Sequence, residues 1–167
     1  MHVCVFNRSY WPDLGATGQL LTELAEDLAA HHGWEVSVVA GYPVPSEVAS
    51  PLQEIRNGVR IIRAAGTTFD PRRFWGRAAN YLTYFASACL AGLRMPKADV
   101  VLAMTDPPII GLAGLLTARR SGGPFVFLCQ DVFPEVTRLL EDSHNPLIDR
   151  VLDRIGRFLL GRADAVI

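Results

Sequence analysis

The chain opens with HVCVFNRSYWPDLGATGQLLTELAEDLAAHHGWEVSVVA, which spans residues 2–40. A short β-branched run at each end of this segment encloses a stretch in which leucine and alanine recur every three or four positions. This spacing predicts a helix over 17–32, with Thr17 as its N-cap and Gly33 as the residue that ends it. A strand, a helix and a second strand form the unit from which parallel sheets are built.

The same alternation continues along the rest of the chain. The runs 100–104 and 125–129 are apolar on both faces, as strands covered by helices on both sides must be. Residues 41–58 lack periodicity and are predicted to form a long connection. The predicted strands are 2–6, 35–40, 59–64, 99–103, 125–129 and 164–167, and the predicted helices are 17–32, 74–94, 109–120 and 146–161. The fold class is therefore α/β, a three-layer Rossmann-like domain with a parallel sheet.

Composition restricts the class of protein. Of the 167 residues, 16 are Lys or Arg, 17 are Asp or Glu and half are hydrophobic, so a sizeable core is expected and a basic surface for nucleic acid is not. Three cysteines lie far apart in apolar segments, which predicts buried thiols in a reducing compartment, without a disulfide framework or a metal site. We predict no signal peptide and no transmembrane helix, and hence a cytoplasmic location.

The segment between the first strand and the first helix carries the first candidate site. Ligands of open α/β sheets bind at the carboxyl ends of the strands, and Gly15 and Gly18 allow a phosphate to approach the helix N-terminus closely. The predicted contacts of this phosphate are Gly15, Ala16, Thr17, Gly18 and Gln19. An alternative is the dinucleotide-binding fingerprint of an oxidoreductase. The presence of Leu21 where that fingerprint has its third glycine argues against this alternative.

Polar residues follow two further predicted strands at the same edge. Thr105 and Asp106 come after the strand 99–103, and they either cap the next helix or bind a ligand. Gln130, Asp131 and Glu135 follow the strand 125–129, and a helix cap would explain only one of these three. A carboxylate and an amide beside a phosphate site predict recognition of hydroxyl groups.

A basic and aromatic cluster marks the start of the predicted helix 74–94. It consists of Arg72, Arg73, Trp75 and Arg77, beside an apolar stripe of Phe74, Ala78, Tyr81, Leu82, Phe85, Cys89 and Leu93. One interpretation is an ordinary helix packed on the sheet through this stripe. The other is a contact between the cluster and an anionic lipid surface or a lipid-linked phosphate.

Taken in order, the motifs at 10–12, 15–25, 105–108 and 130–135 resemble the N-terminal half of family-four glycosyltransferases. Within that family the chain looks most like bacterial enzymes that build surface polysaccharides, of the colanic-acid and fucosamine type. The resemblance implies a GT-B enzyme of two Rossmann-like domains, in which 1–167 is the N-terminal, acceptor-side domain and the C-terminal donor-binding domain is absent. The ending Val166-Ile167, inside a predicted strand, also indicates a fragment, which is expected to be inactive alone.

The resemblance further implies a retaining, metal-independent hexosyltransferase-like activity without a cofactor. It would move a sugar from a nucleotide-sugar donor to a saccharide acceptor in polysaccharide biosynthesis. Acceptors in this subgroup are often linked to polyprenyl diphosphate at the inner face of the plasma membrane, which would give Arg72, Arg73, Trp75 and Arg77 a role in peripheral membrane contact. Two alternatives stay open: a non-catalytic carbohydrate- or lipid-binding partner subunit, and a dinucleotide-dependent oxidoreductase.

Site residues carry over from the family by position. Residues 15–18 would face the donor diphosphate, Gln130 and Asp131 would be the catalytic pair that meets the transferred sugar or acceptor hydroxyl, and Thr105, Asp106 and Glu135 would bind the acceptor. Gln130 stands where much of the wider family has histidine. Since an amide cannot exchange a proton near neutral pH, no general-base role is expected at this position.

Overall fold

A computed structural model of the chain describes residues 1–13, 15–43, 51–70, 72–131 and 146–167. Its strands are β1 (His2–Phe6), β2 (Glu35–Ala40), β3 (Gln53–Arg56), β4 (Val59–Arg63), β5 (Val100–Ala103), β6 (Phe125–Phe127) and β7 (Ala165–Val166). Its described helices are α1 (Ala16–His32), α2 (Phe74–Arg94), α3 (Ile110–Ser121) and α4 (Pro146–Leu160). Among the described residues, no helix has the length and apolar character that a membrane span requires.

The seven strands form one sheet in the order β3-β4-β2-β1-β5-β6-β7. All pairs of neighbours are parallel except β3 and β4, which are antiparallel. From β1 the chain moves to one side of the sheet through β2 and β4, and then returns to the other side of β1 to form β5. The strand order therefore reverses between β1 and β5, and a crevice at their carboxyl ends is where ligands of such sheets bind. The predicted α/β fold class is confirmed.

Helices cover both faces of the sheet. Leu21 and Ala25 of α1 pack against Val36, Val38 and Ile61 on one face. On the other face a second cluster joins α2, α3 and α4 to the sheet, including Ala88, Ile110, Leu159 and Phe125. In β5, Val101 and Ala103 on this second face are buried, whereas the opposite side chains, Val100 and Leu102, are half-buried.

The connection predicted over 41–58 is wrong for its last residues, because β3 lies there and pairs with β4. The sequence of β3, Gln-Glu-Ile-Arg, is mostly polar, and Ile55 is exposed at the edge of the sheet. Hydrophobic periodicity therefore gives no signal. The turn between β3 and β4 does have a sequence signal, because Asn-Gly is typical of tight hairpins. In the structure Asn57 and Gly58 both have positive φ, of 48° and 83°.

Helix α2 packs on the sheet as predicted, but only part of the predicted stripe takes part, since Phe85 and Cys89 are partly buried against the core. Its buried residues are Tyr84, Ala88 and Gly92, while Leu82 and Leu93 of the stripe are exposed. A Cβ at position 92 would lie 2.2 Å from Thr117 Oγ1 and 2.8 Å from Phe6 Cζ. Small residues thus let α2 approach α3 and the sheet closely, and counting large apolar side chains placed the centre of the buried face too far around the helix.

The start of α1 also differs from prediction. Gly15, not Thr17, is the N-cap, and no side-chain cap hydrogen bond is present. Thr17 instead belongs to the first turn of the helix. At the other end, Gly33 adopts the left-handed conformation with φ 61° and its N–H donates to Leu28 O, which confirms the predicted stop.

The cysteines confirm the predicted burial only in part. Cys4 is fully buried, and burial raises the pKa of its thiol to about 12. Cys89 and Cys129 are half-buried, and burial raises their pKa values as well. All three are free thiols, and their raised pKa values favour the protonated form over the nucleophilic thiolate.

Candidate functional site

Strands β1 and β5 end side by side, and the residues that follow them are bonded to each other. The backbone N–H of Arg8 donates to the carbonyl of Asp106 at 2.8 Å. Arg8 Nε donates to Asp106 Oδ1 at 3.2 Å, and Ser9 Oγ donates to Asp106 Oδ2 at 2.6 Å. Both oxygens of this carboxylate are therefore engaged by the loop after β1.

The guanidinium of Arg8 is held at the crevice in its charged form. Burial is the largest single effect and lowers its pKa, but the interactions with Asp106, Tyr81 and Tyr84 together outweigh it, so the pKa lies above its ordinary value. The guanidinium carbon lies 5.4 Å from the centre of the Tyr81 ring of α2. Only Nε donates a hydrogen bond within the described part of the chain, and the side chain is 38% exposed. The terminal nitrogens of Arg8 are thus accessible.

The loop after β2 supports Arg8 from the other side. The N–H of Gly41 donates to the carbonyl of Arg8 at 2.9 Å, and a Cβ at position 41 would lie 2.9 Å from Arg8 Cγ. Below this contact the buried hydroxyl of Tyr84 donates to Val39 O at 3.1 Å. Desolvation raises the pKa of Tyr84 well above its ordinary value, so this hydroxyl remains a donor.

The polar residues predicted after β5 and β6 meet at the same edge. The N–H of Asp131 donates to Thr105 Oγ1 at 3.3 Å, while Gln130 is exposed and the Asp131 residue is half-buried. Neither Thr105 nor Asp106 caps α3, whose N-cap is Ile109 without a side-chain bond, so the capping alternative is wrong. Both side chains instead join loops that follow different strands. Glu135 lies outside the described residues.

The glycine loop before α1 contains its own anion. The carboxylate of Asp13 accepts a hydrogen bond from Gly15 N–H at 2.9 Å, and a Cβ at position 18 would lie 3.1 Å from Asp13 O. An external phosphate would share this helix N-terminus with a carboxylate of the chain. Gly15, Ala16 and Gln19 are exposed, Thr17 is half-buried and Gly18 is buried.

A buried arginine fixes the loop that carries this turn. Arg63 of β4 has no exposed side-chain surface, and it donates to Gly41 O at 3.1 Å, to Trp11 O at 2.6 Å and to Glu54 Oε1 at 2.9 Å. The Arg56 guanidinium lies 4.4 Å from the centre of the Trp11 ring. The loops after β1 and β2 are thereby tied to the edge of the sheet, away from the crevice opening.

The structure divides the basic and aromatic cluster at the start of α2. Arg72, Arg73 and Trp75 are exposed, and Trp75 reaches 81% exposure. Arg77 is half-buried, and helical spacing of four and seven residues places it on the face that carries Tyr81 and Tyr84. Arg77 therefore belongs to the side of α2 that looks toward the sheet, about 200° around the helix from Trp75.

Sequence reasoning missed Arg8, Ser9 and Tyr81 as site residues. The available signal was position, because Arg8 and Ser9 follow the first strand almost directly, as Thr105 and Asp106 follow the fourth predicted strand.

Among the described residues, no group of three or more His, Cys, Asp or Glu side chains is arranged to hold a metal ion.

Comparisons with known proteins agree with this architecture. Residues 15–167 match the family described as glycosyl transferase 4-like domain. The fold is similar to sucrose-phosphate synthase from Thermosynechococcus elongatus, with TM-score 0.67, 15% identity and coverage of 99% of this chain and 41% of that chain. It is also similar to apo UGT2 from Phytolacca americana, with TM-score 0.50, 12% identity and coverage of 99% and 44%.

The chain thus spans less than half the length of these two solved structures. No curated protein matches the sequence. The two structural likenesses support the GT-B type of Rossmann-like fold, and the family match extends over nearly the whole sequence. The chain belongs to the glycosyl transferase 4-like domain family.

Proposed function

We propose that this chain is the N-terminal, acceptor-side domain of a retaining, metal-independent glycosyltransferase that transfers a sugar from a nucleotide-sugar to a saccharide acceptor. The single observation that carries the proposal is the bonded cluster of Arg8, Ser9 and Asp106 at the strand-order reversal of a glycosyl transferase 4-like domain. The share of the two similar structures that the chain covers supports a second, donor-binding domain.

The residues at the crevice suit different parts of the substrates. The exposed amide of Gln130 can donate to and accept from sugar hydroxyls, and the carboxylate of Asp131 can accept from one. Asp106 has both oxygens engaged and serves to orient Arg8 and Ser9. The first turn of α1 offers backbone N–H groups to the donor diphosphate, whose departure leaves negative charge that must be stabilised.

Calorimetric titration tests the proposed ligands. We expect the chain to bind a soluble analogue of a polyprenyl-diphosphate sugar more tightly than uridine or guanosine diphosphate sugars, because the acceptor side of the cleft is the part present. Amide signals of Thr105, Asp106 and Gln130 should shift in the NMR spectrum. Micromolar binding of a nicotinamide cofactor would favour an oxidoreductase instead, although the family match already argues against that alternative.

Kinetics separates an enzyme domain from a non-catalytic partner subunit. In the enzyme that carries this domain, Asp131→Asn is expected to lower kcat/KM for sugar transfer by about 10-fold or more, since it removes a charged hydrogen-bond acceptor of the substrate. Asp153→Asn in α4, where the half-buried carboxylate pairs with Arg157 and not with the crevice residues, is the matched control and should leave kcat/KM unchanged. Equal rates for the two variants would favour the non-catalytic role.

We further propose that the exposed face of α2 contacts an anionic membrane, as expected for an acceptor linked to polyprenyl diphosphate in surface-polysaccharide synthesis. Trp75, Leu82 and Leu93 are exposed and lie along one side of the helix, and residues 74–94 contain no Asp or Glu. Arg72 and Arg73 are exposed beside Trp75. Apolar side chains next to cations are typical of helices that lie in a lipid interface.

Liposome sedimentation tests this contact. The double variant Arg72→Glu/Arg73→Glu should lower binding to phosphatidylglycerol vesicles by about 10-fold or more, because each basic residue near an anionic surface contributes about 1 kcal/mol. Arg119→Glu/Arg150→Glu changes the net charge equally on exposed helix positions elsewhere and should bind as the wild type does. Equal losses in both variants would indicate bulk charge and contradict a specific face.

A further inference from the structure

We propose that Arg8 binds a phosphoryl group, through the outer edge of its guanidinium, at the crevice between β1 and β5. The inference deepens the proposed function, on which it rests for the identity of the substrate, by assigning a phosphoryl-bearing ligand to this position. The binding itself can be measured independently of sugar transfer. Arg8 lies in the loop predicted to bind a ligand, but it is the distribution of its hydrogen bonds that assigns it this role.

A guanidinium carries five N–H donors, and Arg8 uses one of them within the described part of the chain. That donor is Nε, bonded to Asp106 Oδ1. The remaining four, on the two terminal nitrogens, have no hydrogen-bond acceptor there, and the side chain is exposed enough for a ligand to reach them. Planar N–H groups arranged in this way match two oxygens of a phosphate or diphosphate.

Three contacts fix the side chain without using that outer edge. Asp106 holds Nε and is itself held by Ser9. Gly41 packs against the stem of Arg8, where any Cβ would lie 2.9 Å from Cγ. The Tyr81 ring lies 5.4 Å from the guanidinium carbon. Because the arginine is positioned before a ligand arrives, binding needs little further ordering of this side chain.

The charges around the crevice also favour an anion at Arg8. Two donors of the chain partly offset the carboxylate of Asp106, which together with Tyr81 and Tyr84 keeps the pKa of Arg8 above its ordinary value. Arg77 brings a second guanidinium to the face of α2 that carries Tyr81, one turn closer to the helix start. Asp131 follows β6, two strands from β1, which corresponds to about 10 Å at the usual strand spacing.

Two substrates of a glycosyltransferase carry diphosphates, and both would fit this chemistry. The acceptor could supply its polyprenyl diphosphate, and the donor could supply the diphosphate of its nucleotide. Geranyl diphosphate and uridine diphosphate are soluble probes that represent these two sources. Inorganic pyrophosphate represents the shared group and is the probe for the site itself.

Isothermal titration with pyrophosphate tests the assignment. Arg8→Gln should weaken binding by about 10-fold or more, and Arg8→Lys by a smaller factor, because lysine keeps the charge but not the planar pair of donors. Arg119→Gln is the matched control, since Arg119 is exposed near the C-terminus of α3, which lies at the opposite edge of the sheet. We expect this control to bind as the wild type does.

Equal affinities for Arg8→Gln and the wild type would overturn the proposal, as would the absence of pyrophosphate binding by the wild type at millimolar concentration. Urea midpoints of the variants verify that they are folded. If Arg8→Gln does not fold, the NMR signals of the Arg8 guanidinium in the wild type decide the question. A shift of those signals on addition of pyrophosphate supports the assignment, and unchanged signals contradict it.

The two organic probes identify the source of the phosphoryl group. Weaker binding of geranyl diphosphate by Arg8→Gln assigns Arg8 to the acceptor, and weaker binding of uridine diphosphate assigns it to the donor; loss of neither overturns the inference. Arg8-dependent pyrophosphate binding without sugar transfer by the enzyme that carries this domain would contradict the proposed function alone. Transfer that Arg8→Gln leaves unchanged would contradict the inference alone.

Discussion

The two ends of β1 are cross-linked to the β5 side of the sheet in the same way. At the amino end, His2 N–H donates to Asp99 Oδ2 at 2.7 Å. At the carboxyl end, Arg8 Nε donates to Asp106 Oδ1 at 3.2 Å. In each case an aspartate next to β5 accepts a hydrogen bond from a residue at the end of β1. The two ends differ in what is left unpaired after the cross-link is made.

At the amino end every polar group of His2 is used. Nδ1 lies 3.1 Å from Lys97 O and must donate, because a carbonyl only accepts, and Nε2 lies 3.0 Å from Ser37 Oγ. At the carboxyl end the terminal nitrogens of Arg8 have no acceptor among the described residues, and buried Asn7 Oδ1 has no partner there either. The same kind of cross-link thus leaves no polar group of His2 unpaired at the amino end, whereas at the carboxyl end it leaves donors of Arg8 that can bind a ligand.

The substitution with the largest expected effect tests whether the cross-link at the amino end of β1 contributes to stability and not to ligand binding. A Cβ at Gly123 would lie 2.4 Å from Asp99 O, and this backbone atom cannot move without displacing the cross-link. We expect Gly123→Ala to lower the free energy of unfolding by about 3 kcal/mol. Urea denaturation followed by circular dichroism measures the change. Affinity for pyrophosphate should stay within about twofold of the wild type.

Gly33→Ala is the control for this substitution. Gly33 has φ 61°, and no atom lies within 4 Å of the position that a Cβ would take, so only the backbone conformation opposes alanine. The cost should therefore be about 1 kcal/mol. Similar losses of unfolding free energy in Gly123→Ala and Gly33→Ala would show that the steric clash with Asp99 O adds nothing to the cost. A loss of pyrophosphate affinity in Gly123→Ala would contradict the assignment of stability to the amino end of β1 and ligand binding to its carboxyl end.

A smaller loss of stability is expected from His2→Ala. The substitution removes two ring hydrogen bonds and leaves Ser37 Oγ and Lys97 O without them, at about 1 kcal/mol for each bond. The free energy of unfolding should fall by about 2 kcal/mol with ligand affinity unchanged. Lys97→Ala keeps the backbone carbonyl and removes only an exposed side chain, so it should change stability by less than about 0.5 kcal/mol.

Most of the fold could be predicted from the sequence, because hydrophobic periodicity reports which faces are buried. The strand over 2–6 and the helix over 74–94 were predicted with the bounds that the structure has. Edge strand β3 was missed, because a strand exposed on one side needs no apolar alternation. The buried face of α2 was predicted only in part, since its most buried positions include Ala88 and Gly92, which contribute by being small.

The candidate site was predictable only where position in the fold was sufficient. Thr105 and Asp106 were selected because they follow a strand, and the structure joins them to the loops after β6 and β1. Arg8 was not selected, because its partner lies 98 residues away and the pairing exists only after the sheet has formed. Helical spacing alone could have separated Arg77 from Trp75, since two residues correspond to about 200°.

The smallest expected effect gives the most direct comparison, because the same substitution of aspartate by asparagine is made at both ends of β1. Asp106→Asn keeps an oxygen that accepts from Arg8 Nε and gains an amide group that can donate to Ser9 Oγ, but it removes a negative charge beside the guanidinium. Pyrophosphate affinity should rise about fivefold, which corresponds to about 1 kcal/mol of relieved repulsion. Asp99→Asn removes the same charge at the far end of β1, and five strand residues separate the two positions by about 17 Å.

This distance exceeds the Debye length of about 8 Å at physiological salt, so Asp99→Asn should leave pyrophosphate affinity unchanged. It should lower the free energy of unfolding by about 1 kcal/mol, because the neutral amide forms a weaker hydrogen bond with His2 N–H. Titration calorimetry at two salt concentrations compares the pair of variants. Equal gains in affinity would mean that pyrophosphate responds to net charge alone. A gain confined to Asp106→Asn means that the anion lies next to the Arg8–Asp106 pair, because only there is the removed charge close enough to be felt.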